Sequence, residues 1–268
     1  MQLNGWSFVA TSVLLAMPAF HASAGDGRLF ALNTQTPTQT DPEDPEEERT
    51  VKVTWFGHSC FLFDDGQTRV LTDPFNEAVG YPVPHVEADV VLVSHGHADH
   101  ANVGAVKGSP TVIKTTGSHE ARGIRFRGVA TWHDDAGGSK RGPNIVFTWE
   151  MGGLRFAHCG DLGDLLTEQQ VQAVGKVDVL CIPTGGFFTI DPEHAKLVVE
   201  QLKPRVVFPM HYLSDALSPD RFPLARVDQF LDLFGTDVQK QRADGNTVEL
   251  AAAELPQEGM KIIVPRYK

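Results

Sequence analysis

The run Val90-Val91-Leu92-Val93-Ser94-His95-Gly96-His97-Ala98-Asp99-His100 decides how this chain reads. Its first four residues are aliphatic and uninterrupted by charge, the pattern of a buried strand, so the hexapeptide His95 to His100 begins where that strand ends and continues into a loop. Side chains alternate along extended backbone. His95 and His97, at i and i+2, therefore share a side and can bite one ion. Asp99 follows in the same phase, but Asp99 and His100 are adjacent. Both can point inward only if the chain turns there, and a short helix is expected from near Asn102. A polar loop with chance histidines is the bland alternative, and three His and one Asp within six residues at a strand end argue against it.

Three further apolar runs end in the same manner, at Thr131-Trp132-His133-Asp134, at Phe156-Ala157-His158-Cys159-Gly160-Asp161 and at Val206-Val207-Phe208-Pro209-Met210-His211. A His-x-His-x-Asp-His hexapeptide after a strand, followed by a His, an Asp and a His in that order, resembles the signature of the metallo-β-lactamase fold superfamily. Finer likeness narrows the branch. Trp55-Phe56-Gly57-His58-Ser59-Cys60-Phe61, Thr72-Asp73-Pro74-Phe75, Gly160-Asp161-Leu162-Gly163, Thr189-Ile190-Asp191-Pro192-Glu193-His194-Ala195 and Phe208-Pro209-Met210-His211-Tyr212 resemble the small metal-dependent hydrolases that include the ascorbate-6-phosphate lactonase and the N-acylphosphatidylethanolamine phospholipase D. The likeness covers residues 51–268. It is specific for fold and metal site and poor for substrate, because one scaffold carries many activities.

That resemblance implies an α/β fold, a four-layer αββα sandwich in a single domain with metals at one edge of the sheets. It implies two divalent ions, Zn²⁺ first and Mn²⁺ or Fe²⁺ also compatible with an all-N/O donor set. His95, His97 and His133 would hold one ion and Asp99, His100 and His211 the other, with Asp161 bridging. A hydroxide generated between the ions would be the nucleophile, since a metal pair lowers the pKa of bound water from about 15.7 toward about 7. Asp99 is the candidate catalytic residue, orienting or deprotonating that water. Asp73 resembles the family carboxylate that fixes the tautomer of a ligand histidine. His58 and His158 belong to the resembling segments, and for both a structural role and a role beside the ligands stay open.

Departures sharpen the functional expectation. Asp161 stands where the true β-lactamases commonly carry Cys, and His97 stands where an oxygen-reducing di-iron branch usually carries Glu. The expected reaction is hydrolysis of a phosphodiester or lactone-type ester in a small-molecule substrate. A non-catalytic metal-binding or lipid-associated protein on the same scaffold is the competing class.

From its start, the chain reads as an export signal over residues 1–24: an apolar stretch from Trp6 to Phe20, then Ala22-Ser23-Ala24 as a small-x-small cleavage site. A mature protein beginning at Gly25 in the periplasm or outside the cell is the expected outcome. The stretch is shorter than the roughly 20 apolar residues a membrane span needs and is broken by Thr11 and Ser12, so no span is expected in the mature chain. Residues 25–50 form an acidic, Pro-rich linker with too little apolar surface to offset the entropy of ordering.

The chain has a net charge of −11, of which the linker supplies −5 through Asp26, Asp41, Glu43, Asp44, Glu46, Glu47 and Glu48 against Arg28 and Arg49; residues 51–268 carry the remaining −6. Phosphate contacts need clustered Lys and Arg, so nucleic acid is not an expected partner. Oligomeric state is not encoded in any pattern found.

Strands are expected at Val51 to Trp55, Cys60 to Phe63, Arg69 to Leu71, Val90 to Ser94, Thr111 to Lys114, Arg125 to Thr131, Asn144 to Trp149, Leu154 to His158, Val179 to Ile182 and Val206 to Phe208. Helices are expected at Thr167 to Ala173, Pro192 to Leu202 and Leu224 to Leu233, the second with Asp191 as N-cap and Pro192 at its first position. Cys60, Cys159 and Cys181 sit in apolar runs and read as small buried hydrophobes, and an odd count cannot pair fully. His85, His119 and His194 read as surface residues.

Overall fold

The computed structural model describes residues 49–267. The expected export signal and all of the expected linker except Arg49 and Thr50 lie outside them. Arg49 already belongs to the domain, since its Nη1 donates to Asp65 Oδ2 at 3.3 Å and to Gln67 Oε1 at 2.7 Å.

The strands in chain order are β1 (Val51–Gly57), β2 (Cys60–Asp64), β3 (Arg69–Thr72), β4 (Val90–Leu92), β5 (Thr111–Ile113), β6 (Gly117–Ala121) and β7 (Ile124–Trp132). They continue with β8 (Pro143–Met151), β9 (Leu154–His158), β10 (Val179–Pro183), β11 (Val206–Met210), β12 (Gln239–Arg242), β13 (Thr247–Leu250) and β14 (Lys261–Val264). Two mixed sheets result, a six-stranded one ordered β13-β1-β2-β3-β4-β5 and an eight-stranded one ordered β12-β14-β11-β10-β9-β8-β7-β6. Strands β6, β12, β13 and β14 go beyond those expected from sequence.

The inner faces of the two sheets pack on each other. Along β1 Val51, Val53 and Trp55 are buried at every second position, as a half-buried strand requires. The Phe63 ring of β2 lies 4.9 Å from Trp149 of β8 and 5.1 Å from Phe156 of β9, and Phe61 lies 6.0 Å from Phe208 of β11. Each such ring contributes roughly 1.5–3 kcal/mol by leaving water. β10 and β11, parallel neighbours inside the larger sheet, are buried at every residue, which is why they read as unbroken apolar runs.

Helices cover the eight-stranded sheet. α1 (Glu168–Val174) contacts β7 and β8 and starts with a capping box between Thr167 and Gln170. α2 (Pro192–Leu202) has Asp191 Oδ1 accepting the His194 N–H at 2.8 Å, and it buries Ala195, Val198, Val199 and Leu202. α3 (Val227–Leu231) packs on α2 and is shorter than the helix expected from Leu224. Its start is delayed because Ala225 is held extended, donating to Gly185 O and accepting from the Leu213 N–H.

The other outer layer differs from the simple four-layer expectation. Two short 3-10 turns, Glu77–Val79 and Val103–Ala105, and the loop bearing Leu213, Leu217 and Leu224 cover the second apolar cluster on the six-stranded sheet. Pro74, Pro82 and Pro84 interrupt the first covering stretch and Pro219 and Pro223 the loop, and proline ends helices. The helix expected from Asn102 is one of these turns. No described helix is long and apolar enough to cross a membrane, and Cys60, Cys159 and Cys181 are buried free thiols.

Candidate metal centre

Carboxyl ends of strands from both sheets converge on one edge. Asp73 follows β3, His95 to His100 follow β4, His133 follows β7, Asp161 follows β9 and its Cys159-Gly160 link, and His211 follows β11, while His58 sits in the β1–β2 turn. The backbone is strained where it delivers these groups. His58, Asp73 and His211 have φ of 53°, 41° and 52°, the left-handed region that costs a residue with a Cβ roughly 1–2 kcal/mol. Gly160 has φ 54°, and a Cβ there would lie 2.4 Å from both Asn144 Oδ1 and Ser94 Cβ. Only glycine lets the chain turn so close to the β4 strand end and aim Asp161 inward.

Asp161 is the hub. Its Oδ2 lies 3.2 Å from His100 Nε2, 3.2 Å from His133 Nε2, 3.3 Å from His211 Nε2 and 3.9 Å from His95 Nε2. Asn144 holds it there: Asn144 Oδ1 accepts the Asp161 N–H at 3.0 Å, and Asn144 Nδ2 donates to Thr131 Oγ1 and Cys159 O. His95, His97 and His133 bring one ligand atom each within 4.8 Å of one another on one side, and so do His58, His100 and His211 on the other. Asp99 is half-exposed, with Oδ2 3.4 Å from His58 Nε2 and 3.8 Å from His100 Nε2.

The tautomers follow from the hydrogen bonds. His100 Nδ1 donates to Asp73 Oδ2 at 2.9 Å, which leaves His100 Nε2 bare toward Asp161. Asp73 is itself fixed by the Ser94 N–H at 2.7 Å and the Ser94 hydroxyl at 2.6 Å. With its hydrogen spent on Asp73, Ser94 Oγ accepts from His95 Nδ1 at 2.9 Å, and His95 Nε2 is likewise bare. His158 is different: its Nε2 donates to Ser59 O at 2.8 Å and its Nδ1 accepts the Gly160 N–H at 3.2 Å. Both nitrogens are thus used away from the cluster, and His158 props the turn that carries Asp161.

Burial keeps His58, His95 and His97 neutral. Burial pulls His95 down to about 3, with the charge of His100 adding, and burial with His211 pulls His58 down to about 4. His97 is lowered by burial and His133. Burial would lower His100 too, but the Asp161 and Asp73 carboxylates outweigh it and raise it well above the usual value, so the Nε2 lone pair that faces Asp161 favours a positive charge, taken as a second proton or supplied by a metal ion. For Asp161 the desolvation that would raise its pKa is outweighed by His100 and His211, and it is held well below the carboxylate range.

These residues fit divalent metal. His95 Nε2 and Asp161 Oδ1 are buried with no hydrogen-bond partner among the described residues, and orphaned buried polar atoms are costly. His58 Nε2 and His100 Nε2 face each other at 3.1 Å although His100 has already placed its proton on the other nitrogen. Bare lone pairs around one carboxylate are what divalent ions satisfy.

The structure brings His95, His97, Asp99, His100, His133, Asp161 and His211 into one cluster. It also places His58 in contact with Asp99 and His100, where sequence left its role open. Ser94 and Asn144 were not found from sequence; both lie next to ligand-bearing segments, but their partners are 17 to 21 residues away, a proximity that no local pattern encodes. The same holds for the pocket. A cavity of about 330 Å³ opens over His58, His97, Asp99, His133, Asp161 and His211, walled by Val79, Phe188, Leu217, Phe222 and Leu224, with Lys140 and Arg141 at its edge.

Comparison with known proteins agrees with this geometry. A family model described as beta-lactamase superfamily domain matches residues 52–211. A UPF0173 metal-dependent hydrolase of Thermus thermophilus is 30% identical over 225 residues, covering 74% of this chain and 96% of its own. A relative of the same family from Thermoplasma acidophilum is 29% identical over 214 residues, covering 69% of this chain and 92% of its own. A crystal structure from Thermotoga maritima, described as a Zn-dependent hydrolase of the metallo-beta-lactamase superfamily, superposes with a TM-score of 0.66 at 40% identity over 80% of this chain and 98% of that one. Motif, two-sheet sandwich, donor cluster and relatives converge: the chain belongs to the UPF0173 metal-dependent hydrolases of the metallo-β-lactamase superfamily.

Proposed function

We propose that this hydrolase works with two divalent ions, zinc in the first instance, on a phosphodiester or lactone-type ester of a small molecule. The observation that carries the reading is the single Asp161 oxygen within 3.2–3.9 Å of four imidazole nitrogens from two sheets. One carboxylate within reach of two donor sets supports two ions rather than one, and the description of the Thermotoga relative supports zinc. His95, His97 and His133 would hold one ion, and Asp99, His100 and His211 the other. His58 is an added donor on the second side.

Bound there, the ions would supply a nucleophilic water at neutral pH and Lewis-acid activation of the ester oxygen. The chain does the rest. Asp161 and the Asp73–Ser94 relay orient the imidazoles. Asp99 stays ionised, because His58 and the charge of His100 outweigh the burial that would raise its carboxyl, and its half-exposed Oδ2 faces the pocket and can accept a hydrogen bond that orients the attacking water. The apolar wall excludes bulk water from the reacting atoms.

The test is elemental analysis and a substrate panel on purified protein. About two zinc ions per chain are expected, and Asp161→Ala should lose the second ion and cut turnover by roughly a hundredfold to a thousandfold. The panel holds bis-p-nitrophenyl phosphate, simple lactones, a chromogenic cephalosporin and single-stranded RNA. Faster turnover of the cephalosporin or the RNA than of both ester classes would overturn the reading. Trace metal only, after reconstitution, would remove its basis.

A further inference from the structure

The pocket over the donor cluster has two chemically distinct sides. One is a wall of Val79, Leu217, Phe222 and Leu224, continuous with the apolar cluster that covers the six-stranded sheet and therefore packed in advance. At about 330 Å³ the cavity sits at the small end of ligand pockets, which run from roughly 300 to 1,000 Å³. It has room for one short apolar limb.

The other side carries a positioned cation. Arg141 Nη2 donates to Phe187 O at 3.0 Å, and its guanidinium carbon lies 5.5 Å from the centre of the Phe188 ring. The same ring lies 6.4 Å from His211, so the guanidinium stands one aromatic ring away from the donor cluster. Lys140 is neutralised by Asp135 at 2.7 Å, but Arg141 makes no ion pair among the described residues, and one hydrogen bond occupies one of five N–H donors. The loop that presents it is built for rigidity. Asp134 accepts the N–H groups of Ala136, Gly138, Lys140 and Arg141 at 2.7–3.0 Å. A planar cation, fixed, half-buried and without a carboxylate partner, is a receptor for a bidentate anion.

We propose that Arg141 determines substrate specificity, and that the substrate is a small amphiphilic ester with a short apolar limb on the Val79, Leu217, Phe222 and Leu224 wall and a carboxylate or phosphate on the Arg141 guanidinium. This deepens the hydrolase reading and rests on it. The anion is remote from the bond that breaks, so it selects the substrate without entering the reaction.

The experiment compares three chromogenic esters on zinc-loaded protein: p-nitrophenyl octanoate, its ω-carboxylate counterpart mono-p-nitrophenyl octanedioate, and the analogue ending in phosphate. The wild type should prefer a charged ester, and whichever of the two leads identifies the anion. Arg141→Gln should reduce the charged-over-neutral ratio of kcat/KM by about tenfold, through KM, and Arg141→Lys should restore part of it. Equal ratios in the wild type and Arg141→Gln would overturn the proposal. A purely structural Arg141 would instead lower kcat for all three esters together. Calorimetry with octanoate, octyl phosphate and octanol separates this inference from the hydrolase reading. If no ester is turned over, that reading fails, whereas tighter binding of an anion than of octanol that weakens about tenfold in Arg141→Gln still upholds the anion site, and anion binding indifferent to the substitution sinks it.

Discussion

The space between the two sheets and the edge where their strands end are built on opposite terms. Between the sheets Phe61, Phe63, Trp149, Phe156 and Phe208 lie in contact with alternating or unbroken apolar strands, and local sequence, packing and burial favour the same state. At the edge the chain buries the imidazoles of His58, His95, His100, His133 and His211 with the carboxylates of Asp73 and Asp161, leaves His95 Nε2 and Asp161 Oδ1 without partners among the described residues, and bends His58, Asp73 and His211 into the left-handed region. Stability is generated in the first region and spent in the second. The sandwich tolerates a metal-ready edge because its interior is dominated by apolar contacts, with the unpartnered Trp149 Nε1 an exception among the described residues.

The comparison can be broken by separating the two regions with substitutions. Phe63→Ala should destabilise the protein by about 3–5 kcal/mol, seen as a lower denaturant midpoint, while the folded protein keeps its full metal content. Metal lost in parallel with stability would mean that the edge is not an independent region. Asp73→Asn tests the converse. It should weaken metal affinity by about 10- to 100-fold in a chelator competition, by releasing His100 from its tautomer, while moving the midpoint less than Phe63→Ala does. The smallest effect sharpens the backbone side of the contrast. Lys203 closes α2 with φ 50°, a left-handed residue far from the cluster in role, so Lys203→Gly should stabilise by about 0.5–1 kcal/mol in the same titration. A destabilised Lys203→Gly would show that left-handed strain is not released so simply.

The same contrast explains what could be read in the chain. Of the strands whose ends carry ligands, β4 and β11 are buried at every residue and β9 at all but Arg155, so their apolar runs and terminal His or Asp stand out in sequence, while β7 alternates exposed and buried residues before His133. Strands β6 and β12 were not legible because they are sheet edges: Gly117-Ser118-His119-Glu120-Ala121 and Gln239-Lys240-Gln241-Arg242 are largely exposed and have no apolar period to detect, whereas β13 and the buried β14 were missed although Val248 and Leu250 alternate and Ile262, Ile263 and Val264 form an apolar run. Within the site the donors were legible because they cluster locally or end strands. The groups that hold or surround them were not, because Ser94 meets Asp73, Asn144 meets Asp161 and Arg141 meets Phe187 only through tertiary contact. His58 fell between these cases, marked by its segment but given its neighbours by the docking of the two sheets.

The Asp134 cap has a consequence for how this scaffold can diversify. Its carboxyl, which burial would raise, is brought down to about 2 by the N–H groups of Arg141, Ala136, Gly138 and Lys140, so it holds the loop as an anion through the main chain alone. The grip of Asp134 therefore does not depend on which side chains stand at positions 136, 139, 140 and 141, even though Arg141 also reaches Phe187 O. A lineage, or a designer, can rewrite those letters and exchange the chemical group that the pocket greets, while the donor cluster across the Phe188 ring remains as it was. Recognition and reaction are carried on separately replaceable parts of one edge.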